Sequence, residues 1–212
     1  MVRLPKTPIL VLGSLALVVT GCSSAPSSTQ GASPNTGAPT QPNTSTSQPA
    51  PVQTENNPPG DIPDNQAFVT YTGKSGNYGV KIPEGWARTA TGSSASFTDK
   101  LNTIAVKQTA APDAPTVKTA NSVVVPVLQA SVPNFSLDDV TTFDLPGGSG
   151  ALITYHGDSA QDPVTNKVIR DAMERYTFWK NGQQVVLTLT GPENADNVDP
   201  WALVSSSFAW VQ

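Results

Sequence analysis

The chain has 212 residues, a formal net charge of -4 and only 13% charged residues, with 20 Pro and 16 Gly; soluble domains average about 25% charged residues. An acidic balance of this kind excludes a Lys/Arg-rich nucleic-acid-binding face. One Cys and one His exclude a disulfide framework, a thiol redox pair and a Cys/His zinc centre.

Residues 1–21 read as a secretory signal. Arg3 and Lys6 form a positive start, and Ile9–Leu12 and Ala16–Val19 an apolar run. That run falls short of the roughly 20 residues that span a bilayer. The order Val19-Thr20-Gly21-Cys22, followed by Ser23-Ser24, resembles the lipobox of bacterial lipoproteins. The resemblance implies cleavage before Cys22, a diacylglycerol thioether on its sulfur and acylation (palmitate) of the new amine. The plain alternative is an ordinary signal peptide with a chance Cys. With two or more acyl chains the mature protein is anchored at the outer face of the cell membrane without spanning it.

From Cys22 to Gln66 the sequence is Ser, Thr, Pro, Gln, Asn, Gly and Ala almost throughout, with nine prolines and no Lys or Arg. Such a segment buries too little apolar surface to offset its ordering entropy. We expect a disordered tether with polyproline II character, reaching ~35–40 Å as a flexible coil. It is either a plain spacer or an O-glycosylated stalk.

Residues 67–212 carry the aromatic, β-branched and charged residues of one folded domain. Phe68–Tyr71 and the alternating Tyr78–Ile82 read as strands, and Pro83–Trp86 as a turn with an aromatic plug. Ala95–Asp99 and Asn102–Lys107 read as a hairpin. Between Pro115 and Val132 the apolar spacing shifts to three and four residues (Val117, Ala120, Val123/Val124, Val127, Leu128), predicting a helix that Pro126 kinks or shortens. Val123–Val125 also has strand propensity. Leu137–Phe143 and Ala151–His156 read as strands about a turn at Pro146-Gly147-Gly148.

Asn181-Gly182 lies between two alternating runs, Ile169–Lys180 and Gln183–Thr190; this is the strongest short hairpin signal. Pairing Lys180 with Gln183 sets Glu174, Tyr176, Phe178, Val185, Leu187 and Leu189 on a core face. It sets Met173, Arg175, Thr177, Trp179, Gln184, Val186 and Thr188 on a second face, either covered by a helix or open. Asp199 as N-cap and Pro200 as the first helical residue predict a closing helix, with Trp201, Val204 and Phe208 on one side. The order of elements predicts an α+β fold, an antiparallel sheet flanked by helices.

Tyr78–Trp86 (YGVKIPEGW), Phe97–Asp99 (FTD), Phe178–Gly182 (FWKNG) and Ser205–Trp210 (SSSFAW) together resemble the PsbP/Mog1-like domains, in particular actinobacterial lipoproteins of the LpqN/LpqT type. The resemblance covers about residues 67–212 and implies an αβα sandwich. It also implies an envelope-attached accessory role, and it transfers no catalytic motif.

No Gly-x-Ser-x-Gly elbow accompanies His156, which reads as a polar strand-end residue. Gly147–Gly150 joins two strands and reads as a turn, not a phosphate cradle. Asp138, Asp139, Asp144, Asp158 and Asp162 lack EF-hand spacing. Glu84, Glu174 and Glu193 lack a carboxylate pairing for glycoside chemistry. We therefore expect no catalytic residue, no metal and no cofactor. If the His156 strand lies beside the hairpin, Thr154, His156, Arg175, Thr177, Trp179 and Thr188 share a candidate ligand or partner face. The alternative is a helix packed over that face with Arg175 snorkelling. The expected function is a lipid-anchored, non-enzymatic accessory module of the cell envelope with a membrane anchor and a protein partner. A small-molecule, lipid or glycan carrier with a pocket on the sheet face is the alternative, and a hydrolase using His156 the third.

Overall fold

Strands fill about half of residues 58–211, the span that the computed structural model of the protein describes, because β-branched and aromatic residues alternate with polar ones there. In chain order they are β1 Phe68–Thr72, β2 Tyr78–Pro83, β3 Ala87–Thr91, β4 Ser94–Asp99 and β5 Asn102–Ala110. A helical segment follows, made of α1 Val117–Thr119, one wide π turn at Ala120–Val124, and α2 Val125–Ser131. Then come β6 Ser136–Leu145, β7 Gly148–Asp158, β8 Arg170–Lys180, β9 Gln183–Pro192, α3 Val198–Ser206 and β10 Ala209–Trp210. None of the described helices is long and apolar enough to cross a membrane. The signal segment, Cys22 and the tether up to residue 57 lie outside the described residues.

Seven strands form one antiparallel sheet in the order β3-β4-β5-β9-β8-β7-β6. The β8–β9 hairpin has the register expected from sequence, with Lys180 opposite Gln183 and Phe178 opposite Val185. Asn181 and Gly182 hold φ of 50° and 78°, the positive values that a type I′ turn requires. A second, three-stranded sheet has the order β1-β2-β10.

The fold is therefore α+β with an antiparallel sheet at its centre, and its two flanks differ. On the first face α3 and the small sheet pack together. Trp201, Val204 and Phe208 join Tyr78, Val80 and Ile82 over Tyr176, Phe178, Leu187 and Leu189. Phe178 is fully buried, and its ring stacks on Phe208 at 3.9 Å. On the second face the helical segment sets Ala120, Val124 and Leu128 over Ala151, Ile153, Tyr155 and Met173.

Four sequence expectations need correction. The helix over Pro115–Val132 is interrupted by the π turn, which leaves Pro126 in the first turn of α2. A proline lacks the N–H that an unbroken helix would use there, and the widened turn absorbs that loss. Val123 and Val127 of the expected apolar stripe point to solvent. The closing helix starts at Val198 with Asn197, not Asp199, at the N-cap.

The fourth concerns the boundary expected at Ala67, which falls inside packed structure. Ile62 is 4% exposed and joins the core. Asn197 ties it down: its Oδ1 accepts from Ile62 N at 2.8 Å, and its Nδ2 donates to Gly60 O at 3.0 Å. Asn102 Nδ2 donates to Gly60 O as well, at 2.7 Å. Two distant buried amides thus hold a segment whose own composition predicts no fixed structure.

Candidate functional site

Side chains alternate across a strand, so a residue and its cross-strand partner share a face. Arg175 pairs with Thr188 on one side and Ile153 on the other. Thr188 pairs with Ala105, Ala105 with Ser96, and Ser96 with Thr89. The adjoining row runs Thr91, Ser94, Lys107, Val186, Thr177, Ala151. The helical segment covers the β6–β8 half of this face. The loop before α1 and the start of the helical segment reach as far as Val186 on β9, which is buried; beyond it, across β5, β4 and β3, the rows open, and Thr89, Thr91 and Lys107 are exposed.

Arg175 sits at the edge of the cover. Its Nε is buried and has no hydrogen-bond partner. Its Nη1 makes one long contact to Thr188 Oγ1, at 3.5 Å. Among the described residues it forms no ion pair. Burial pulls the guanidinium below its usual range, and the nearby Tyr155 hydroxyl partly offsets this. Two cavities meet at Arg175 and Val186. One, of about 330 Å³, lies over β3, β4, β5 and β9; the other, of about 350 Å³, runs beneath the helical segment.

The six residues expected to share a face are split. Arg175, Thr177, Trp179 and Thr188 lie on the second face. Thr154 and His156 pair with Glu174 and Ala172 and so lie on the opposite face. The β7–β8 register sets odd-numbered residues of both strands together, and Thr154 and His156 are even. Thr177 is buried, and Trp179 donates its indole N–H to Ala111 O at 2.8 Å, tying β8 to the loop before α1.

His156 has its own partners. Its Nδ1 lies 2.9 Å from Asp138 Oδ2, and its Nε2 lies 3.6 Å from Glu193 Oε1. Asp138 reaches it because a bulge interrupts the β6–β7 register between Leu137 and Asp139, and the extra residue turns its side chain across the strand.

Farther along the second face Asp171 borders a third cavity of about 630 Å³. Burial, with Asp158 adding repulsion, pushes its carboxyl up to about 6. Among the described residues no group of three or more His, Cys, Asp or Glu side chains is placed to hold a metal ion.

Sequence reasoning missed Lys107, Ser94, Ser96, Thr89 and Thr91. They reach the site only through the β5–β9 pairing, which joins segments about 80 residues apart and has no local signature.

No protein-family model and no curated protein matches the sequence. Among solved structures, the chain is similar to cyanobacterial PsbP (CyanoP) from Synechocystis, with 18% identity and a TM-score of 0.49 over 69% of this chain and 94% of that one. It is also similar to LpqN of Mycobacterium tuberculosis, a protein involved in cell envelope biogenesis, with 14% identity and a TM-score of 0.43 over 70% of this chain and 93% of that one. These likenesses assign no residue a role.

Proposed function

We propose that the protein is a lipid-anchored, extracytoplasmic, non-enzymatic binding module that supports an envelope transporter or cell-wall complex. The observation that carries the binding reading is the uncovered half of the second sheet face, where a half-buried, unpaired Arg175 meets two cavities. A domain that only needed stability gains nothing from desolvating a lone cation. The anchoring reading rests on Val19-Thr20-Gly21-Cys22, with diacylglycerol and acyl chains giving stable attachment. His156 faces carboxylates through both ring nitrogens, an arrangement that supports a tie between β6 and the start of the closing segment more than a base serving a hydroxyl nucleophile. The cavity of about 330 Å³ favours a second reading, a carrier of a small ligand.

The test is expression of the full chain and of Cys22→Ala in a bacterium that processes lipoproteins. The parent chain is expected in the membrane fraction, with an intact mass that begins at Cys22 and includes the lipid. Cys22→Ala is expected in the soluble fraction. A free thiol or a retained leader on the parent chain removes the anchor. A photo-crosslinker placed at exposed Thr91 should capture one envelope protein reproducibly, and the same probe at exposed Val69, on the small sheet, should not.

A further inference from the structure

We infer that the open trough beside Arg175 binds a small hydroxylated oxyanion, a molecule that carries a phosphate or carboxylate group on a polyol or sugar frame. This deepens the binding reading above and depends on it only for the choice of face.

The charge is the first argument. The chain holds sixteen Asp and Glu against twelve Lys and Arg, yet the trough has two cations in its lining, Arg175 and Lys107, and no acid. They sit on β8 and β5 with only β9 between them and are offset by two residues along the strands, which sets their Cα atoms about 12 Å apart by strand geometry. An anion between them reaches both. Asp113 borders the neighbouring cavity with Arg175 but forms no ion pair with it.

Hydrogen bonding is the second argument. A buried guanidinium N–H without a partner is destabilising, and an oxyanion is the acceptor whose geometry fits the guanidinium fork. The rest of the lining is rich in hydroxyls: Thr89, Thr91, Ser94, Ser96 and Thr188. Each hydroxyl both donates and accepts, which suits ligand hydroxyl groups as well as an anionic oxygen. Between them Ala105 and Val186 give a small apolar floor. The volume, about 330 Å³, suits a molecule near the size of a single sugar, at the lower end of small-ligand sites.

The experiment titrates the purified full chain with hexose 6-phosphate, a hexuronate, the neutral hexose and inorganic phosphate at constant ionic strength. Calorimetry and thermal shift give the readouts. The hexose phosphate or the hexuronate is expected to bind saturably and at least tenfold more tightly than the neutral hexose. Arg175→Met should abolish that binding while leaving the ligand-free melting temperature equal or higher, because it removes a desolvated charge and keeps the bulk. Lys107→Met, at an exposed position, should weaken binding several-fold without touching the fold.

No saturable binding by either anion, or equal affinity for the neutral hexose, overturns the proposal. So does an Arg175→Met variant that melts well below the parent, since the guanidinium is then a structural prop. Vesicles containing phosphatidylglycerol, offered to the Cys22→Ala chain so that no acyl anchor contributes, form the last arm: capture that Arg175→Met abolishes, with no saturable binding of hexose 6-phosphate, assigns the trough to a lipid headgroup and overturns the small-ligand reading. None of these outcomes bears on the Cys22 test, so the anchor and the ligand stand or fall separately.

Discussion

The two faces of the seven-stranded sheet are built from the same strands and meet different fates. On the first face Tyr176, Phe178, Val185, Leu187 and Leu189 lie under α3 and the small sheet, and the rings of Phe143, Phe178, Phe208 and Tyr78 touch in series. On the second face the helical segment packs on Ala151, Ile153, Tyr155 and Met173, and the large apolar residues end with Trp179 on β8 and the buried Val186 on β9. Where the rows continue as Thr188, Ala105, Ser96 and Thr89, no apolar residue larger than an alanine is left to bury. The coverage of a sheet face thus follows its side chains strand by strand, and the uncovered half is where polar chemistry stays accessible.

The sharpest way to break this contrast is a truncation on each face. Phe178→Ala leaves a large void in the covered core and should lose about 3–5 kcal/mol in chemical denaturation. Ser96→Ala, on the open half, should stay within about 0.5 kcal/mol. Similar losses at both positions would show that the open half is covered in solution.

Asp171 extends the comparison to pH. Its folded-state carboxyl keeps a proton up to about 6, against an ordinary value of 3.8, so the folded state binds more protons than the unfolded state in that window. Stability from this group is therefore highest below about pH 4 and falls as pH rises to about 6, by on the order of 2 kcal/mol. Asp171→Asn should remove that descent and melt higher than the parent at pH 7. A parent and variant with parallel melting curves from pH 4 to 7 would sink it.

At the rim of the covered face, Asn197→Ala strips the partner from Ile62 N and from Asn102. The expected loss is about 1–3 kcal/mol, with faster hydrogen exchange at Ile62 than at β9. Gly182→Ala is a smaller effect again, above only Ser96→Ala. Its φ of 78° is open to a side chain sterically, but the conformation disfavours one, and the change should cost about 1 kcal/mol while leaving ligand binding in the trough unchanged.

Much of the covered face was legible in the sequence, because its signals are local. Asn181-Gly182 set the β8–β9 turn and hence every pair along it. Pro146-Gly147-Gly148 marked the β6–β7 turn, and the spacing of Trp201, Val204 and Phe208 marked the buried side of α3. The candidate site was legible only in part. Arg175, Thr177, Trp179 and Thr188 fell on one face by hairpin parity alone. Thr154 and His156 were misplaced, because eleven residues of loop separate β7 from β8 and no turn residue reveals the register across them.

By itself the amino-acid order determined what neighbours along the chain can decide: turn types, the period of each segment, the alternation that gives each strand two faces, and the lipobox-like Cys22. Only the tertiary structure decided which strands lie side by side, how far a helix reaches across a face, and that Ile62 is buried. Those outcomes rest on pairings between residues tens of positions apart, such as Lys107 with Val186 and Asn197 with Gly60. Their closure entropy is offset by the packing of the whole domain rather than by any local preference.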